Sequence, residues 1–210
     1  MKYSKEFQSL IDDPKKFADI MKYNCSGLLY SEWEQKRKFI ADYFTEDGTI
    51  LDIGSAGGLF LKSVQEWSGN ILTPYGVDII PEYIDAAKEL FSQYKDNFAV
   101  LDVRNISNID SVGLPTKYDY VFWNYLGPKY FEVNRVDVHN IVKFIINMSR
   151  RRAVFGFYAP NKYKYGEEGW REERNQLTKR VENFKKLGFK TDGELYNPTN
   201  YNQAIVWIDK

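Results

Sequence analysis

The period of the apolar positions changes several times along the chain, and each change marks an element. Phe17, Ile20 and Met21 recur at helical spacing behind Asp13-Pro14, an N-cap residue followed by proline at the first helical position. A second helix is predicted over 31–44, with Trp33, Ile40, Tyr43 and Phe44 on one face. After the turn at Glu46-Asp47-Gly48 the texture shifts to strands alternating with helices. Residues 49–53 (TILDI) read as a short apolar strand running into a glycine-rich turn. A helix over 59–67 follows, carried by Phe60, Val64 and Trp67, then a strand over 75–80 (YGVDII). Pro81 opens a helix whose Ile84, Ala87, Phe91 and Tyr94 share a face, and strands are predicted over 98–103 and 118–125. A helix over 133–148 buries Val138, Ile141, Val142 and Ile145, and 153–158 (AVFGFY) is a fifth strand. A long amphipathic helix over 170–187 turns Leu177, Val181 and Phe184 inward. Two tail strands, over 189–195 and 204–208, meet at the loop Asn197-Pro198-Thr199-Asn200.

Strands alternating with helices of this length build a mostly parallel sheet covered on both faces. The expected fold is therefore α/β: a three-layer Rossmann-like sandwich around a seven-stranded sheet. The closing strand pair has no helix between its members, so one strand near the C-terminus runs antiparallel. A chain of 210 residues with no repeat and no linker composition reads as one domain. Within it, 1–48 form a helical cap, 49–125 the half carrying the glycine turn, and 126–210 the other half.

Composition narrows the chemistry. Lys plus Arg and Asp plus Glu are both 29, so the net charge is zero, which excludes a surface that is basic throughout and traps nucleic acid without specificity. A local exception is 161–190, with nine Lys and Arg against five Glu, read first as a solvated helix face. Cys25 is the one cysteine and His139 the one histidine, so neither a disulfide nor a metal site is expected. His139 falls with Arg135 and Lys143 opposite the apolar stripe of its helix, which reads as a solvent-facing position. The run Arg150-Arg151-Arg152 reads as the cationic close of that helix. No apolar run suits a signal peptide or a membrane span, so the expected address is the reducing cytoplasm. Aromatic residues reach 17%, an excess concentrated around 23–33, 123–130 and 158–170.

The most informative stretch is Leu51-Asp52-Ile53-Gly54-Ser55-Ala56-Gly57-Gly58. A strand, a glycine turn and a helix in that order set the turn at the carboxyl edge of the sheet, where open α/β sheets bind ligands. Glycine there also serves tight packing, so the turn alone does not decide. Asp78 ends the next strand 24 residues past Gly54, close to the roughly 20 expected of a carboxylate that grips a ribose diol. Asp102 closes the third strand, where it can accept from an exocyclic amine. Each acid alone could be a solvated strand end or a helix cap; three in succession point to an adenosine-containing ligand. The dinucleotide pattern G-x-G-x-x-G fails at Ala56 and Leu59. A carboxylate just before the turn also repels a pyrophosphate and suits a cation.

Residues 49–125 resemble the cofactor half of the class I S-adenosylmethionine-dependent methyltransferases, and the element order to 210 is similar too. The first motif of that family, an acid followed by G-x-G-x-G, resembles Asp52, Gly54, Ala56 and Gly58, with Ala56 departing from the middle glycine. The resemblance implies S-adenosylmethionine as cofactor and S-adenosylhomocysteine as product. It implies that Asp52 serves the amino-acid end, Asp78 the ribose hydroxyls, Ile79 the adenine ring, and Asp102 with the Val103 amide the adenine edge. Trp123-Asn124-Tyr125 would then lie beside the reactive methyl, with Asn124 holding the cofactor or orienting an acceptor and Tyr125 bonding the nucleophile. Tyr23, Tyr30, Trp33, Trp123 and Tyr163 are candidates to line an aromatic acceptor pocket, although core packing accounts equally well for Trp33 and Trp123. A small-molecule acceptor is expected, since no nucleic-acid signature is present. RNA or protein, met through 150–190, is the alternative acceptor. An NAD-dependent oxidoreductase and a non-catalytic cofactor-binding protein are the rivals from other classes.

Overall fold

In the computed structural model the described residues are 3–24, 27–126, 136–158, 182, 185, 193–196 and 203–210. Side chains are described for 3–24, 27–124, 139–156, 182, 185 and 205–210. The chain forms two compact units, Met1–Tyr118 and Asp119–Lys210.

The first unit begins with three helices, α1 (Lys5–Ile11), α2 (Pro14–Met21) and α3 (Tyr30–Arg37). Asp13 caps α2 by accepting from the amides of Lys15 and Lys16, both at 3.0 Å, as the Asp-Pro signal predicts. The pattern does not predict α1, a short helix capped by Ser4, whose hydroxyl accepts from the Phe7 amide. Phe7, Leu10, Phe17, Met21 and Trp33 are buried among these helices. The helix predicted over 31–44 is two pieces, because the backbone breaks at Arg37 (φ −123°) into a 3₁₀ stretch over Lys38–Tyr43.

Strand β1 (Gly48–Ile53), helix α4 (Leu59–Ser68), strand β2 (Leu72–Asp78), helix α5 (Pro81–Leu90) and strand β3 (Phe98–Val100) complete the unit. The three strands are parallel in the order β3-β2-β1. Gly76 of β2 registers with Asp52 of β1 and with Phe98 of β3, so these three positions share one face. That face is tight, since a Cβ on Gly76 would lie 2.7 Å from the Phe98 ring. Phe98 in turn stacks on Phe91, their ring centroids 5.2 Å apart.

The second unit holds β4 (Tyr118–Leu126), α6 (Val136–Met148), β5 (Ser149–Tyr158), β6 (Gly193–Tyr196) and β7 (Gln203–Asp209). Its strand order is β4-β5-β7-β6, with β7 antiparallel to both neighbours, which brings the strands among the described residues to seven. Arg150, Arg151 and Arg152 belong to β5 and not to the end of a helix. Arg152 is clipped to Asp209 across the β5–β7 ladder, and Arg151 pairs with Asp119 at 3.7 Å. Sheet pairing to β7 thus takes the arginine run that read as the cationic close of the helix. His139 is half-buried rather than solvent-facing, and its Nε2 is shielded with no hydrogen-bond partner among the described residues. Of the helix predicted over 170–187, Glu182 and Lys185 are helical, and the rest lies outside the described residues, as does Cys25. No helix among the described residues is long and apolar enough to cross a membrane.

Candidate functional site

The glycine turn joins β1 to α4 through three left-handed residues: Gly54 (φ +78°), Ala56 (φ +48°) and Gly58 (φ +80°). Two are glycines, which adopt this conformation freely. Ala56 is the only non-glycine residue with positive φ among the described residues, and it holds a conformation that an L side chain disfavours by about 1 kcal/mol. What holds it there is Asp78, whose Oδ2 accepts from the Ala56 amide at 2.9 Å. The other Asp78 oxygen accepts from the Ile80 amide at 3.0 Å. The Asp78 carboxylate is therefore fixed by two main-chain donors, one on each oxygen, and each oxygen keeps a lone pair for a ligand hydroxyl.

Every amide of the turn is already donated. Gly54 and Ser55 both donate to the Val77 carbonyl, Ala56 to Asp78, Gly57 to the Tyr23 carbonyl at 2.8 Å, and Gly58 back to Ser55. The amides of the turn itself are thus spent, and an anion would find its donors only in the uncapped first turn of α4. Gly54 itself borders open space, since a Cβ there would meet nothing within 4 Å.

Asp52 stands in the last turn-facing part of β1 and is 3% exposed. Among the described residues no hydrogen bond or ion pair reaches its carboxyl. Burial, reinforced by the neighbouring Asp78 charge, pushes its pKa up from 3.8 to about 8. A buried carboxyl without a counter-charge is a costly arrangement unless a cation arrives to complete it. The Ser55 hydroxyl is a second buried polar group without a partner, held within the turn. The donor set thus fits a ligand carrying a positive charge and a vicinal diol, the two features of the adenosine sulfonium cofactor.

The remaining candidates fall as follows. Ile79 follows Asp78 and is 57% exposed, an apolar side chain presented to whatever enters. Asp102 caps the 3₁₀ stretch over Val103–Val112 and is gripped by Arg104 through its amide and its guanidinium, which holds the carboxyl below its usual range. Val103 is half-buried at the start of that stretch. Tyr23 is 40% exposed and meets Tyr83 edge-on at 6.4 Å, beside the Gly57 clamp. Trp33 and Tyr30 are drawn into the cap instead. The Trp33 Nε1 donates to Ser63 Oγ at 3.0 Å, and Tyr30 accepts from Trp67 Nε1 within a cluster of Tyr3, Phe7 and Phe17. In the second unit Trp123 is buried and Asn124 half-buried on β4, while the Tyr125 side chain and Tyr163 lie outside the described residues. The pattern did not single out Gly57, though the consecutive pair Gly57-Gly58 carried a signal. A Cβ on Gly57 would lie 2.7 Å from the Tyr23 Cβ, so only glycine lets the amino-terminal segment dock on the turn.

Comparison with known proteins places the fold. The chain has the Rossmann-like α/β fold of the class I methyltransferases. It is similar to the fibrillarin pre-rRNA processing protein of Methanococcus jannaschii, with TM-score 0.57 and 13% identity over 84% of this chain and 75% of that one. Fibrillarin of Aeropyrum pernix, solved with natively bound S-adenosyl-L-methionine, gives TM-score 0.54 and 14% identity over 81% and 74%. A SAM-dependent methyltransferase of Aquifex aeolicus gives TM-score 0.54 and 16% identity over 82% and 87%. No protein-family model and no curated protein matches the chain.

Proposed function

We propose that this protein is an S-adenosylmethionine-dependent methyltransferase acting on an O, N or C atom of a small molecule. The observation that carries the reading is the buried Asp52, without a partner among the described residues, beside the fixed Asp78 carboxylate. Solved proteins of the same fold hold this cofactor, as the fibrillarin of Aeropyrum pernix does. When bound, the cofactor supplies an electrophilic methyl whose displacement releases a neutral thioether. Asp52 balances the ammonium at the amino-acid end, and Asp78 takes the two ribose hydroxyls. Ile79 packs on the adenine, and Asp102 accepts from its amine once Arg104 shares the carboxylate, with the Val103 amide nearby. Asn124 and Tyr125 are assigned to the acceptor side, as the residues that would orient the nucleophile. Alignment and exclusion of water are the main tasks in such a displacement.

Zero net charge supports a small acceptor over a polyanion. Titration calorimetry with S-adenosylhomocysteine tests the cofactor: binding to the wild type, lost in Asp78→Ala, is expected. Stabilisation by NAD without any by S-adenosylhomocysteine would sink the reading. For the acceptor, strongly salt-dependent binding of an RNA oligonucleotide would replace the small molecule with RNA.

A further inference from the structure

We propose a second ligand site, for a small monocarboxylate with an apolar body, in the cleft between helices α1 and α2 on one side and α4 and α5 on the other. The cleft measures about 610 Å³, a volume that suits a small molecule. It abuts the glycine turn at Tyr23 and Gly57, but neither Asp52 nor Asp78 lines it.

Its determinant is Lys62 of α4. This side chain is 12% exposed, yet it carries an ammonium into the cleft. Among the described residues its one ion-pair partner is Glu6, at 3.2 Å, and Glu6 is itself 71% exposed. The ammonium also sits 5.8 Å from the centre of the Phe91 ring. A lysine this deep needs an anion beside it. The anion it has lies mostly in water, where an ion pair is held weakly. Glu6 also stands in the first turn of α1, where the helix dipole favours a carboxylate, so it can release Lys62 without losing all of its support. A ligand carboxylate delivered with an apolar tail takes the place of Glu6 and gains what Glu6 lacks. Its tail lies against Leu10, Ile20, Ala86 and Leu90 on the walls.

The rim sets the charge that is admitted. Asp13 is spent on the α2 amides and Asp19 on Lys22 at 2.5 Å, so neither competes for Lys62. With Glu89 they nonetheless keep three carboxylates around the mouth, against Lys15 and Lys16. A nucleotide or other polyanion is repelled there more strongly than a single carboxylate.

Octanoate is the probe. Calorimetric titration of the full chain should saturate in the millimolar range or below, and octylammonium should not bind. Lys62→Met keeps the stem and removes the charge, and it should weaken octanoate at least tenfold. Glu6→Gln removes the competing carboxylate and should tighten octanoate severalfold. The proposal is overturned if octanoate fails to saturate the wild type, if octylammonium binds as well, or if Lys62→Met binds as tightly. An unchanged or weaker affinity in Glu6→Gln overturns it too. Should Lys62→Met fail to fold, the Glu6→Gln result decides alone.

Discussion

Asp52→Asn isolates the buried carboxyl at the end of β1. The folded chain keeps a proton on Asp52 up to about pH 8, whereas the unfolded chain loses it near 3.8. Between those values the folded state binds more protons, so stability falls as pH rises. The contribution is whole below about pH 4, is lost progressively towards pH 8, and changes no further above that. Each pH unit in the window costs about 1.4 kcal/mol, or at most about 3 kcal/mol between pH 5 and 7. Asparagine has nearly the same shape and does not titrate. Urea unfolding of both proteins at pH 5, 6 and 7 and constant ionic strength gives two curves whose other titrations cancel in the difference. The wild type should lose stability relative to Asp52→Asn as pH rises. Saturating S-adenosylhomocysteine should flatten the wild-type slope, because an ammonium beside Asp52 supports the charged form. Two curves that stay parallel across the range would refute the account of Asp52.

Other expectations rest on single contacts. Gly57→Ala drives a Cβ to 2.7 Å from the Tyr23 Cβ, so it should cost about 1–3 kcal/mol and speed limited proteolysis of the segment before the glycine turn. Ser63→Ala leaves the Trp33 indole N–H buried and unpaired, and the urea midpoint should fall by an amount worth about 1–3 kcal/mol. Arg104→Ala frees the Asp102 carboxylate, and calorimetry should show S-adenosylhomocysteine binding severalfold tighter; a looser complex would mean that Arg104 itself holds the ligand.

The strand–turn–helix and its two flanking acids were readable because local chemistry alone sets them. An apolar run ends in a carboxylate, glycines permit the turn, and a second carboxylate ends the neighbouring strand. Edges set by partners elsewhere in the chain were not readable. Strand β2 begins at Leu72 and includes Pro74, which looks like a breaker. It is tolerated because β3 pairs only with Gly76–Asp78, so no partner strand on that side asks for the missing N–H, and Asn97 caps the Pro74 carbonyl at 3.0 Å. Strand β3 stops short of 98–103 because the Asp102 side chain takes the Arg104 amide and starts a 3₁₀ turn. Trp33 could be pocket or core on sequence alone; Ser63, thirty residues on, makes it core. The cleft around Lys62 had no signature, since a lysine on a helix reads as solvated until the helices that cover it are known.

The β5–β7 ladder also bears on how the second unit is reached. Its rows run from Tyr158–Gln203 to Arg152–Asp209, so the nearest pair already closes a long loop and the Arg152 clip a longer one. By contrast β1 and β2 pair across a single intervening helix. Loop closure must be met before such distant contacts reward it, so formation of the β5–β7 ladder should set the refolding rate. Pulse-labelled hydrogen exchange should protect the amides of β1 and β2 before those of β7, and simultaneous protection would show that the two ladders form in one step.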